Sequence, residues 1–161
     1  MSYTLKYRIL STEELAALEE ELKQFLIVHG IMDDEWKKMN EENPDDAIEL
    51  VEIFSDTVLE KVYSGINYLE YRTKDLLILL AYSEDKIEQI RIQAKESTDI
   101  DLLNWQGFTA AMNSLEKLDA FYGKKELLSL RNESIHAYVI HGFIPSEKDL
   151  WEQMNRFIKA N

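Results

Sequence analysis

Among the side chains able to do chemistry, the most suggestive spacing is Glu133-Ser134-Ile135-His136. A glutamate and a histidine three residues apart on a helix share a face, and di-iron bundles use that pair. Such a centre needs the pair twice, with glutamates from two further helices, whereas this sequence holds it once. His141, five residues beyond His136, falls off the same face. No metal and no cofactor is therefore expected. A second candidate is a group of carboxylates: Asp56 and Glu60, about one turn apart, and Glu70 a little further on. At a junction between helix and sheet, with His136 in the same cleft, these could hold a raised pKa and serve as a general base. The same residues suit a plainer task, hydrogen-bonding a neighbouring turn or pairing with Arg8 or Arg72, and the balance favours it. Nucleophile-elbow, phosphate-loop and dinucleotide-binding patterns are all absent, with five glycines and no cysteine in the chain.

Charge supplies a different kind of candidate. The net charge of −13 is concentrated: residues 11–60 hold sixteen acids against Lys23, Lys37 and Lys38, and the remainder balances at fifteen of each sign. Such a surface repels nucleic acid and attracts basic proteins. Glu19, Glu20, Glu21, Asp33 and Asp34 are the residues expected to meet a partner, although runs of charge are commonly just the solvated faces of helices. Acids spaced like phosphates, mimicking nucleic acid in a basic groove, are a weaker third reading. The last helix sets Glu147, Asp149 and Glu152 against Lys148, Arg156 and Lys159, which leaves no basic face to read DNA. The leading expectation is a non-enzymatic interaction module with an acidic N-terminal surface. The alternative is a small enzyme built on Asp56, Glu60, Glu70 and His136.

The elements that position these residues follow from periodicity. Asn43-Pro44-Asp45-Asp46 is a helix start, and Ala47, Val51, Phe54, Val58 and Val62 continue it as a broad apolar stripe, flanked by Ile48, Leu50 and Leu59. Other elements are expected to pack on this helix. Ahead of it, Tyr3–Leu10 alternates as a short strand would. Ser11 with Glu14 forms a capping box for a helix that Gly30 closes, and Asp33 caps a shorter helix. After it, 67–72, 76–82 and 86–93 read as three strands joined by the polar turns Thr73-Lys74-Asp75 and Ser83-Glu84-Asp85. A single very long helix through this region competes, because short apolar runs fit either period.

Residues 97–105 break the pattern as a loop. Phe108, Ala111, Met112, Leu115, Leu118 and Tyr122 then mark a helix ending at Gly123. Another helix runs from about Lys125 to His141, and a last one follows Pro145. The expected fold is α+β, a small antiparallel meander, with the N-terminal strand as a candidate member, packed by five to six helices. With no linker and no repeat, residues 1–161 read as one domain.

The sequence also resembles a family of small bacterial proteins to which no function is assigned. The resemblance lies in Lys6-Tyr7-Arg8-Ile9 running into Ser11–Leu15, in Gly30-Ile31 before Asp34-Glu35-Trp36, in Phe54-Ser55-Asp56, and in Tyr68-Leu69-Glu70. It implies that the shared domain starts at Leu5, making Met1–Thr4 an addition, and it brings no activity or site residues. Without cysteine or a basic start leading into an apolar run, a reducing cytoplasm is the expected compartment. No membrane segment is expected. The oligomeric state is left open, a homodimer included.

Overall fold

The computed structural model describes residues 3–96 and 98–160, with Trp105 and Ala160 described in backbone only. Met1 and Ser2 of the expected addition, and Ser97 of the expected loop, lie outside these residues. The chain divides into two compact units between Tyr63 and Ser64. The division falls in the last turn of a continuous helix, where no linker composition marks it.

In the first unit, α1 (Thr12–Ala17), α2 (Glu19–Val28) and α3 (Asp33–Glu42) precede α4 (Pro44–Ser64). The capping box forms as its residues imply: Ser11 Oγ accepts from Glu14 N at 3.1 Å, and Glu14 accepts from Ser11 N at 2.9 Å. The helix expected from Ser11 to Gly30 is interrupted at Leu18, whose φ of −108° and ψ of 26° separate α1 from α2. Gly30 ends α2 with φ +79°, a conformation that side chains other than glycine resist.

Tyr3–Leu10 does not form the expected strand. Its amides are taken by side chains of α4: Lys6 N and Tyr7 N donate to Asp56, and Leu10 N donates to Ser55 Oγ. A segment held by a helix through side-chain acceptors has no ladder to join. The buried face of α4 is correspondingly rotated from the expected stripe. Ala47, Phe54, Ser55, Asp56, Leu59 and Tyr63 are buried, while Ile48 and Val62 are exposed. Phe25 of α2 packs on Phe54 at 5.4 Å, and Tyr7 meets Tyr63 edge-on at 5.1 Å.

In the second unit, the three expected strands form as β1 (Tyr68–Arg72), β2 (Leu76–Tyr82) and β3 (Lys86–Ala94), which removes the single-helix alternative. The remaining elements are α5 (Trp105–Met112), a 3-10 turn at Leu115–Lys117, β4 (Leu118–Glu126), α6 (Arg131–Ile140), β5 (Ile144–Pro145) and α7 (Lys148–Ala160). The antiparallel sheet has the order β4-β3-β2-β1-β5. The fold is α+β.

β2 is apolar throughout because both faces of the sheet are covered. Leu77, Leu79, Ile90 and Ile92 face a core made with Ile100, Leu102, Phe108, Ala111, Trp151 and Met154 from α5, α7 and the segment before α5. The opposite face carries Tyr71 and Tyr82. It meets α6 through Tyr82–Ser134 (2.9 Å) and through Phe143, which lies 5.3 Å from Tyr71 and 5.0 Å from Tyr138.

Two expectations fail here. The helix expected through Tyr122 stops at Met112, and Leu118–Glu126 is a strand; the helix expected from Lys125 starts at Arg131. Only Leu118 is buried in β4, so this edge strand carries none of the alternation that announces a strand. β5 lies between the two C-terminal helices and pairs with β1.

α5 starts where it does because of a close approach. A Cβ on Gly107 would lie 1.9 Å from the carbonyl oxygen of Asp101. Asn104 caps the helix by accepting from Gly107 N, and Asp101 accepts from Leu103 N and from Asn104 Nδ2.

Candidate functional site

Asp56 and Glu60 are brought together one turn apart on α4, and both are occupied by the N-terminal segment. Asp56, which is 5% exposed, accepts from Tyr3 Oη at 2.7 Å, Lys6 N at 2.6 Å and Tyr7 N at 2.9 Å. Ser55, fully buried beside it, donates to Val51 O at 2.7 Å and accepts from Leu10 N at 3.0 Å. Glu60 accepts from Lys6 Nζ at 3.1 Å and from Tyr7 Oη. Burial and then the bond to Glu60 push the Tyr7 hydroxyl up to about 12. These contacts form a strap: three polar side chains of α4 hold residues 3–10 against it. The segment continues into a second clamp, where the Arg8 guanidinium meets Glu14 in a bidentate pair at 2.7 and 2.9 Å. That pair, followed by the Ser11 amide, lowers the Glu14 carboxyl to about 2.

Glu70 has its own partners. It accepts from Arg72 Nε at 2.7 Å and from Ser146 Oγ at 2.8 Å, so it ties β1 to the β5–α7 corner. Adjacent residues of a strand face opposite ways, so Glu70 points away from the Tyr71 face that α6 covers. His136 is half-buried on α6. The structure therefore places Glu70 and His136 on opposite faces of the sheet. Glu133, its helical neighbour, is exposed, and among the described residues no three His, Asp or Glu side chains converge as a metal site. A concavity of about 520 Å³ between Gly65 and Lys148 is lined by Asn67, Tyr68, Tyr82 and Ser146, and among the described residues no carboxylate lines it.

The acidic candidates are all at the surface. Glu19, Glu20 and Glu21 occupy the first turn of α2, Asp33, Asp34 and Glu35 that of α3, and Asp45 and Asp46 that of α4. Every one of them is exposed. Their placement has a local cause, because acids in a first turn complement the positive end of the helix. Lys23 pairs weakly with Glu19 and Glu20, at 3.6 and 3.8 Å.

The same surface holds residues that the helix dipole does not explain. Val28 at the end of α2 is 82% exposed, Met32 just before α3 is 53% exposed, and Ile27 is exposed as well. Glu21, Gln24 and Val28 fall on one stripe of α2, so the outer face of that helix runs from acid to apolar. The acids of α3 begin immediately after Met32. An apolar step with acid on either side is thus presented to solvent. Periodicity missed it because Val28 lies on the outer stripe of α2, away from the apolar side of that helix, and Met32 lies between the two helices. Their only signal was three apolar residues, Val28, Ile31 and Met32, around Gly30.

Comparison with known proteins assigns the chain to a family without supplying a function. The chain belongs to the Family of unknown function (DUF6495), which matches it over residues 5–159. No curated protein matches the chain. No solved structure matches it either. No helix among the described residues is long and apolar enough to cross a membrane.

Proposed function

We propose that the chain is a non-enzymatic, cytoplasmic interaction module that binds a basic, amphipathic protein segment on the outer face of α2 and the α2–α3 corner. The observation that carries this reading is the exposure of Val28 and Met32 between two acidic turns. Acid clusters alone are met on any solvated helix, and single exposed apolar residues are ordinary. Together they have the composition of a contact surface, with an apolar centre to exclude water and charged surroundings to steer the approach and choose the partner. Glu19, Glu20, Glu21, Asp33 and Asp34 would attract and orient, and Val28 and Met32 would supply most of the binding energy. The absence of cysteine fits a reducing compartment.

The test is comparative capture from cell extract. The chain is set beside a Glu19→Lys/Glu20→Lys/Glu21→Lys variant and a Val28→Ser/Met32→Ser variant, all of unchanged circular dichroism. The proposal expects basic proteins that the wild type retains and both variants lose. Capture that is indifferent to both sets of changes contradicts it.

A further inference from the structure

The sheet ends on one side with the two-residue β5 and on the other with the nine-residue β4, whose outer edge meets no strand among the described residues. From Asp119 onward β4 is exposed, with Phe121 and Tyr122 prominent on it. The polarity of that edge can be read from its ends. Leu127 N donates to Asp85 O and Lys95 N to Lys117 O, both at 2.8 Å. In an antiparallel ladder the hydrogen-bonded pairs recur at every second residue. Asp119, Phe121, Gly123 and Lys125 therefore bond to β3, while Leu118, Ala120, Tyr122, Lys124 and Glu126 turn their N–H and C=O groups outward.

We propose that this edge pairs with the same edge of a second copy of the chain, β4 antiparallel to β4 about a twofold axis at Tyr122. The arrangement joins the two five-stranded sheets into one continuous sheet and satisfies the outward groups. Charge selects this register. With Tyr122 opposite itself, Asp119 faces Lys125 of the other copy, twice by symmetry, in the positions where side chains approach most closely. Moving the axis to Phe121 sets Lys117 against Lys125, and moving it to Gly123 sets Phe121 against Lys125; neither keeps the ion pairs.

Gly123 adds an independent argument. A Cβ there would meet nothing within 4 Å, so the chain's own fold does not call for glycine. In the paired register Gly123 faces Phe121 of the second copy, and an aromatic ring covering a glycine is a recurrent way to complete a strand pair. The local charge also permits contact. Residues 117–126 carry three bases and two acids, unlike the strongly acidic helices of the same chain.

Sedimentation equilibrium of the full chain tests the proposal. The expected result is a dimer that Asp119→Lys and Lys125→Asp each weaken by about tenfold, since each change turns two attractive pairs into repulsive ones. An equimolar mixture of the two variants is expected to recover the dimer, because each then supplies the charge the other lacks. Tyr122→Pro removes an outward amide and no β3 bond, and should leave a folded monomer. A wild type that stays monomeric at high micromolar concentration overturns the proposal. So does a dimer indifferent to Asp119→Lys, or a mixture that fails to restore association. Should Tyr122→Pro fail to fold, the two exposed charge changes still decide.

Discussion

Replacing Asp56 by asparagine tests the strap more sharply than any other single change. The substitution keeps the shape of the side chain and removes its charge. Asp56 accepts three hydrogen bonds, from Tyr3 Oη, Lys6 N and Tyr7 N, at a position 5% exposed. Asparagine keeps one acceptor oxygen and turns an NH₂ group toward at least one of those donors. A hydrogen bond to a charged group contributes about 1.5–3 kcal/mol, and a buried donor left unmet costs about 1–3 kcal/mol. With one donor unmet and charge assistance lost at the others, the expected destabilisation is about 3 kcal/mol. The measurement is urea unfolding together with amide hydrogen exchange at Lys6 and Tyr7, whose protection should fall by about a hundredfold. A variant within about 0.5 kcal/mol of wild type, with both amides still protected, would refute the reasoning.

Three further outcomes are expected. Gly107→Ala should lower thermal stability by at least about 2 kcal/mol, since its Cβ would lie 1.9 Å from a backbone oxygen; a variant as stable as wild type in calorimetry would show that the approach is not fixed. Glu14, lowered from 4.5 to about 2 mainly by Arg8, should contribute stability above pH 4.5 that fades as pH falls toward 2. Because the pair is partly exposed, the contribution is about 1 kcal/mol, and acid unfolding of Glu14→Gln should lack this component. Tyr7 and Tyr82, both pushed up to about 12 chiefly by burial, should ionise last in an alkaline absorbance titration. Stability held by their neutral hydroxyls should persist below pH 10 and fade toward pH 12; ionisation of all eight tyrosines near 10 would contradict this.

The parts of the fold that were legible in the sequence are those where one period dominates. β1, β2 and β3 announce themselves through apolar runs separated by polar turns, and α4 through its Asn-Pro-Asp-Asp start. What escaped was set by partners distant in sequence. Tyr3–Leu10 alternates like a strand, but Ser55 and Asp56, some fifty residues on, take its amides. Those two read as off-stripe polar residues because, Tyr3 Oη apart, their partners are backbone groups, which leave no trace in residue type. β4 escaped for the opposite reason. Its side chains are nearly all exposed, so pairing with β3 defines it and no buried face does. Of the site, the acidic turns were visible as composition. The apolar corner was not, because exposure is a property of the fold.

The most direct test of the acidic surface is a titration of the ¹⁵N-labelled chain with a synthetic lysine–leucine amphipathic peptide, followed residue by residue. The expected result is a footprint confined to the Glu19–Glu21 turn and residues 28–35, weakened by salt and abolished by Val28→Ser/Met32→Ser. Shifts spread equally over exposed acids elsewhere, such as Glu84, Asp85 and Glu96, or a footprint that survives loss of Val28 and Met32, would contradict it.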